Sequence, residues 1–482
     1  MVLYLSGHDF GYELENVARI FCREVRVEKR APKRADKTGD WAYLRRAAIA
    51  DGYALLCDVH LDVFNAARKQ RLSGGDKACE LALAQMLYDI LCSLTSTSPP
   101  WGVVTGIRPA KYVGALLKRG LSDREILWEL ETAHRVSSRK ASLCLHTAKA
   151  SEAVARLNGP RSFSLYVAIP FCPTRCAYCS FVSKSVERDR SLIAPYVDAL
   201  CRELAAAGAQ TRGLRLESVY IGGGTPTTLD AAQLTQLAGA IRENFDLSTS
   251  REFTVEAGRP DTIDAERLAA LKAAGVTRIS INPQTANDDV LRALGRRHTA
   301  ADVEESFLLA RAAGFDNINA DLIAGLPGDT LDSFRRTLAW LRALAPENVT
   351  VHALTLKRAS RLNENGMAAS PDAAAMVELA NDTLPAWGLH PYYMYKQKGT
   401  VDGLENTGYA RTGTECLYNV YIMDELHTIV ACGAGAVTKL VDQRSGLIRR
   451  IFNYKYPAEY LTGFAEILRR KRGVGEFYES HV

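Results

Sequence analysis

Between residues 164 and 354, short runs rich in Val, Ile, Tyr and Thr alternate six times with longer Ala-, Leu- and Arg-rich stretches of helical spacing. The candidate strands are 164–171, 216–223, 252–258, 278–284, 317–325 and 348–354. Helical stretches between them include Ile193–Ala207, Ala231–Asn244, Ala265–Ala274 and Thr330–Ala343. Strands separated by a crossover of a dozen or more residues pair in parallel, and the crossovers are right-handed. The pattern therefore predicts an α/β fold, either an open doubly wound sheet or a barrel. In both, chemistry gathers at the carboxyl ends of the strands.

The conspicuous residues fall at those ends. Cys172 follows the first run, Gly222, Gly223 and Gly224 the second; Glu256 lies in the third, Gln284 ends the fourth and Asp321 lies within the fifth. The segment from Tyr166 to Phe181 contains Cys172, Cys176 and Cys179 in a C-x3-C-x2-C spacing. Three thiolates on one tight loop can ligate three irons of a cubane and leave the fourth open. The competing readings are a structural zinc site or three buried cysteines. Structural zinc takes four closed ligands, and neither a His nor a fourth Cys lies at a suitable local spacing. The triple-Gly turn of Tyr220–Pro226 lets backbone approach a ligand closely, and an ordinary loop explains it equally well when taken alone.

A chain of 482 residues is too long for one core. Residues 1–158 mix strand-like and helix-like segments and read as an N-terminal α+β domain. Residues 159–385 hold the alternation, and 386–482 read as a smaller α+β region expected to cover the barrel. The other eight of the 11 cysteines are scattered, the expectation for small buried hydrophobes in a reducing compartment. A formal charge of +5, spread along the chain, gives no sign of nucleic-acid binding. No run approaches 18 uninterrupted apolar residues, and Met1 is not followed by a signal-peptide pattern, so no membrane partner and a cytoplasmic location are expected.

The cysteine loop after the first strand of a six-fold βα pattern resembles the radical S-adenosylmethionine (SAM) superfamily. Together with Gly222–Thr227, Glu256, Ile281–Gln284, Gly295–His298 and Asp321–Pro327, it resembles the oxygen-independent coproporphyrinogen III oxidase-like family, its HemZ branch in particular. The resemblance implies a partial (β/α)6 barrel and a [4Fe-4S] cluster on Cys172, Cys176 and Cys179. It also implies one or two molecules of SAM and reductive cleavage of SAM to a 5'-deoxyadenosyl radical. Tyr166, Tyr178, Gly222, Gly223, Gly224 and Thr225 would surround the cluster-bound SAM, with Tyr166 beside the reacting centre. Glu256, Gln284, Arg296 and Asp321 would make further SAM contacts.

The implied reaction is oxidative decarboxylation of two propionates of coproporphyrinogen III to vinyl groups, giving protoporphyrinogen IX, with a flavodoxin or ferredoxin as low-potential electron donor. Arg297, Lys357, Arg358 and Lys396 are candidate partners for the propionates. Two positions depart from the family: Ala168 stands where His is usual, and Phe181 where active dehydrogenases carry a further Cys. These bear on the decarboxylation and not on the cluster ligands. Methyl transfer or anaerobic haem ring opening would keep the radical and change the substrate. A haem chaperone is the reading from another class, and its His-Asn-x-x-Tyr-Trp signature corresponds here to Tyr418–Met423, without the His.

Overall fold

Four of the crossover helices start where the sequence places a short polar side chain. Asp230 accepts from the Gln233 N–H at 2.8 Å and Gln233 reciprocates at 3.1 Å, so the helix spans Ala231–Asn244. Thr299 and Asp302 cap Ala300–Ala312 in the same reciprocal way, while Asp264 and Thr330 cap Ala265–Ala273 and Leu331–Leu344 by accepting from the Arg267 and Ser333 N–H groups. Two of these helices end on a left-handed glycine: Gly275 and Gly314 have φ of 85° and 86°, and the next residue's N–H returns to Leu271 and Ala310.

The structure, a computed structural model, describes residues 1–36, 38–181, 183–355, 362, 367–397 and 400–481. It divides into two compact units, Met1–Leu145 and His146–Val482. In the first, a five-stranded sheet runs in the order Arg26–Glu28, Val2–Ser6, Trp41–Ile49, Gly52–Leu61, Phe64–Leu72. Helices Gly11–Phe21 and Asp76–Thr95 bury Leu14, Val17, Leu83 and Leu87 with Leu3, Leu5 and Leu44 of the sheet. Among the described residues, Asp76–Thr95 is the one helix long and apolar enough to cross a membrane, and half of that stretch is buried. The division at residue 145 precedes the expected 158 because the second half of helix Ser138–Ala155 packs in the second unit. There Ser151 bonds Asp424, and Val154 packs among Tyr392, Tyr418 and Tyr421.

The second unit is built on one sheet. Its strands are β1 (Ser162–Ile169), β2 (Arg215–Gly223), β3 (Glu252–Gly258), β4 (Arg278–Ile281), β5 (Ile318–Ala324), β6 (Asn348–Ala353), β7 (His390–Lys396), β8 (Glu405–Ala410), β9 (Thr428–Cys432), β10 (Val437–Val441) and β11 (Ile448–Phe452). The first six pair in parallel in sequence order, the partial (β/α)6 barrel that the alternation predicts. β4 is shorter than the expected 278–284, because Pro283 and the left-handed Gln284, φ 70°, follow it.

The C-terminal region continues the sheet on both sides of the six strands, and its Tyr393, Tyr395, Asn419 and Met423 line the barrel interior. β8 and then β7 add antiparallel beside β6, and β9 adds parallel to β1, followed by β10 and β11. The edges of an open barrel carry unpaired N–H and C=O groups, and these strands satisfy them.

Side chains alternate across the six parallel strands. Val255, Ile279, Ile281, Leu322, Val349 and Val351 join the core beneath the helices. Glu256, Arg278, Ser280, Asn319, Asp321, Thr350 and His352 line the interior.

Candidate functional site

The cysteine loop leaves β1 and is held on two sides. Phe171–Cys172 pairs in parallel with Lys184–Ser185, the Thr225 N–H donates to the Phe171 carbonyl at 2.7 Å, and the Ala177 N–H donates to the Leu294 carbonyl at 3.0 Å. The triple-Gly turn makes this seating sterically possible. A Cβ on Gly224 would lie 2.5 Å from the Phe171 oxygen, and Gly223 has φ 112°, a region L side chains avoid. Close approach is thus required first by the cysteine loop itself.

Cys172, Cys176 and Cys179 line one cavity of about 390 Å³. Burial raises the Cys172 thiol and pushes Cys179 up to about 11. Without a metal these two groups are protonated at neutral pH, and loading releases the protons. Donors already face the sulfurs. The Thr225 hydroxyl points at Cys172 Sγ at 3.6 Å, and Arg259 and Arg296 direct Nη1 atoms at Cys176 Sγ at 3.5 and 3.9 Å. Arg259 is held by a two-nitrogen pair to Asp261, both contacts 2.9 Å. Arg296 donates to the Tyr178 hydroxyl at 2.8 Å and the Asn282 carbonyl at 2.7 Å, and its Nε is buried without a partner. Among the described residues no three His, Cys, Asp or Glu side chains converge on one ion position. Three thiolates spread along a cavity wall, with cations aimed at sulfur, fit the three separate irons of an anionic cubane better than a tetrahedral zinc ion.

Beyond the cysteines the wall is polar and layered across the strands. Asn319 of β5 donates to Ser280 of β4 at 3.2 Å, and Thr350 of β6 donates to Asn319 at 3.1 Å. Two residues further along, Asn319 also donates to Asp321 at 2.8 Å, His352 stands 3.8 Å from Asp321, and Tyr395 lies 3.4 Å from His352. Burial raises Asp321, but His352 and Asn319 outweigh it and hold the carboxyl below the usual range. Glu256 behaves oppositely: burial pushes it up to about 7 although Tyr220 donates to it at 2.7 Å and the Gly223 N–H at 3.2 Å. Gln284 keeps its left-handed backbone because both of its main-chain groups are engaged, its N–H to the Asp321 carbonyl and its carbonyl to the Ile323 N–H, at 2.9 and 3.0 Å.

Of the residues expected at the site, Tyr178, Gly223, Gly224, Thr225, Glu256, Gln284, Arg296 and Asp321 join the cysteines on this cavity. Tyr166 and Gly222 do not. Tyr166 packs its ring 6.2 Å from Tyr220 and 5.9 Å from Tyr418, and a Cβ on Gly222 would lie 2.9 Å from the Glu256 carboxyl, which screens it. Arg297 is spent on Glu187 at 2.7 Å, both side chains largely exposed, and Lys396 is not part of the cavity wall. Lys357 and Arg358 lie outside the described residues. The cavity also takes Thr174, Arg259, Arg278, His352, Tyr393 and Tyr395, none of which the sequence reading singled out as site residues. Period-two polarity in otherwise apolar strands, as at 278/280 and 319/321, was the available signal.

The profile of the Radical SAM superfamily matches residues 166–341. The chain is 36% identical to the oxygen-independent coproporphyrinogen-III oxidase-like protein HemZ of Bacillus subtilis, over 80% of this chain and 78% of that protein. It is 35% identical to the heme chaperone HemW of the same organism, over 57% of this chain and 70% of HemW. Among solved structures it is similar to coproporphyrinogen III oxidase (HemN) from Escherichia coli, described as a radical SAM enzyme, with a TM-score of 0.53 and 24% identity over 66% of this chain and 72% of HemN.

Proposed function

Because the chain belongs to the oxygen-independent coproporphyrinogen-III oxidase-like family of radical SAM proteins, we propose that it removes carboxylates oxidatively from the propionate side chains of coproporphyrinogen III, leaving vinyl groups. One observation carries this: Cys172, Cys176 and Cys179 share a single cavity with a wall of hydrogen-bonding side chains that includes both ionisable acids and guanidinium groups.

Cys172, Cys176 and Cys179 would hold three irons, and Gln284, Arg296, Glu256 and Asp321 would bind the polar groups of SAM. A cluster with SAM at its open iron supplies a carbon-centred radical that takes a hydrogen atom from a substrate carbon. Everything else falls to positioning. Hydrogen-atom abstraction needs no side-chain base, so Glu256 and Asp321 would serve as hydrogen-bond acceptors for hydroxyl or ammonium groups of a ligand through their remaining lone pairs. Ile323, Leu354 and Tyr393 line the same cavity and exclude water from the reacting carbon. Each propionate loses a β-hydrogen atom, carbon dioxide and one further electron, which must pass to an acceptor. A low-potential one-electron donor in a reducing cytoplasm completes the scheme.

The chaperone reading requires a haem ligand on the protein. At the position where the chaperone signature carries His, Tyr418 is buried with its ring 4.4 Å from Tyr220, which favours the enzymatic reading.

Anaerobic reconstitution with iron and sulfide, followed by SAM, reductant and coproporphyrinogen III, tests the proposal by product mass. Loss of carbon dioxide with 5'-deoxyadenosine and methionine is expected. Haem retention without SAM cleavage, or a methyl gain on the tetrapyrrole, would overturn it.

A further inference from the structure

Arg278 opens β4 and is 2% exposed, yet it lines the cavity. Its Nε and Nη2 are buried without a hydrogen-bond partner. The carboxylates whose charges act on it are engaged elsewhere. Glu252 accepts from the Leu417 N–H at 2.7 Å, Cys416 Sγ at 3.3 Å and the Tyr418 N–H at 3.4 Å. Glu256 serves Tyr220 and Gly223, and Asp321 serves Asn319 and faces His352. No ion pair joins any of them to Arg278 among the described residues. A permanently charged fork with empty donors is an expensive thing to bury, and such a group is compensated by an anion that matches two parallel N–H bonds.

Its place along the strand gives the ligand a length. Arg278 stands at the amino end of β4, whereas Asn282, whose carbonyl Arg296 grips beside the cysteine loop, lies past the carboxyl end. At the rise of an extended chain these positions are about 13 Å apart.

We propose that Arg278 anchors a deep anion subsite that receives a substrate carboxylate about a dozen ångström from the carbon reacting at the cysteine loop. The assignment rests on the tetrapyrrole reading for its substrate, since a macrocycle with propionates on opposite edges has that reach. The guanidinium fixes the far edge of the substrate, and the reacting edge is positioned by what the far edge cannot do: slide.

Binding of coproporphyrin III and of its tetramethyl ester, followed by fluorescence in the wild type and in Arg278→Met, tests this. Arg278→Met is expected to weaken the acid about 10- to 100-fold, to leave the ester unchanged, and to spare iron loading. Arg278→Lys keeps the charge without the fork and is expected to fall between. Because no hydrogen bond is lost, Arg278→Met is expected to fold; a variant that fails to fold would place the guanidinium in the scaffold and overturn the proposal. Thermal protection by propionate against propionamide separates the two readings. Protection of the wild type by propionate, absent in Arg278→Met, with no coproporphyrin III binding keeps the subsite and sinks the tetrapyrrole. Coproporphyrin III held equally by both proteins sinks the subsite alone, and a wild type indifferent to both acids sinks both.

Discussion

The guanidinium of Arg259 joins two groups: Nη1 stands 3.5 Å from Cys176 Sγ, while Nε and Nη2 are clamped by the two oxygens of Asp261. A cation donating to a cluster sulfur stabilises the more negative, reduced state. Arg259→Met is expected to lower the reduction potential of the loaded cluster by on the order of 50 mV, with iron content unchanged. Asp261→Asn frees the guanidinium without removing it, so its shift should be smaller. Anaerobic potentiometry followed by electron paramagnetic resonance reads both, and an unmoved Arg259→Met potential would remove Arg259 from this role.

Cys176 and Cys432 are both buried cysteines of the same unit, and only Cys176 faces the cavity. Cys176→Ala is expected to abolish iron and sulfide retention after reconstitution, while Cys432→Ala, a small loss from the hydrophobic core, retains both. Metal analysis and the visible absorption of the reconstituted proteins check the pair. Zinc in the wild type at one ion per chain, unaffected by either change, would contradict the assignment.

Glu256 sets a pH dependence. Burial holds its carboxyl near 7 against 4.5 for a free group, with the charge of Asp321 adding to the rise and Tyr220, the Gly223 N–H and Arg278 opposing it. The folded state therefore keeps this proton to higher pH than the unfolded chain, and stability falls as pH rises from about 4.5 to about 7, by about 3 kcal/mol. Asp321, held low, acts with the opposite sign and below this window. Urea unfolding across the window should show Glu256→Gln losing this part of the slope. If SAM hydroxyls are its ligands, SAM affinity in the wild type rises through the same pH range, and in Glu256→Gln it does not.

How much of this was readable beforehand depends on whether the cause is local. Helix Ala231–Asn244 has the bounds read from sequence because its start is written in Asp230 and Gln233. The three cysteines reach one cavity because eight residues of loop, Cys172 to Cys179, carry all of them. The C-terminal strands were not legible, since β9 finds its parallel partner β1 more than 260 residues away, through edge groups that have no signature in the sequence. Arg259 and Arg278 escaped for a different reason: an arginine in a sequence is ordinarily a solvated charge. Only their burial, 4% and 2% exposed, shows otherwise. Tyr166 was placed at the reacting centre by resemblance, and its ring packs instead on Tyr220 and Tyr418.

Ala168 occupies the position where the family usually carries His, and its surroundings are fitted to a small side chain. It packs with Ala431 and Ala436, and its carbonyl accepts from Tyr196 at 2.7 Å. A Cβ added to the adjoining Gly433 would lie 2.6 Å from the Ala168 oxygen. Restoring the histidine as Ala168→His is therefore expected to cost about 1–3 kcal/mol through overpacking. It should not improve turnover, because the residue does not line the cavity. Chemical denaturation and product formation test the two statements separately.

Lys471 of the C-terminal helix Phe464–His481 meets Glu203 of helix Ile193–Gln210 at 2.9 Å, with both side chains buried. Glu203 also accepts from Tyr460 at 2.6 Å, the Gly433 N–H at 2.7 Å and Asn453 at 2.7 Å, and Lys471 donates to the Ala431 carbonyl. The pair thus ties the last helix to the strand beside β1 and to the helix behind it. Lys471→Met leaves a buried carboxylate without its cation and is expected to cost about 3–5 kcal/mol. Adding Glu203→Gln removes the stranded charge, so the double variant should be more stable than Lys471→Met alone, the sign of a coupled pair. Equal and additive losses in the two single variants would mean the cation contributes only packing. Since neither group lines the cavity, iron loading of the folded fraction should be the same in all three proteins.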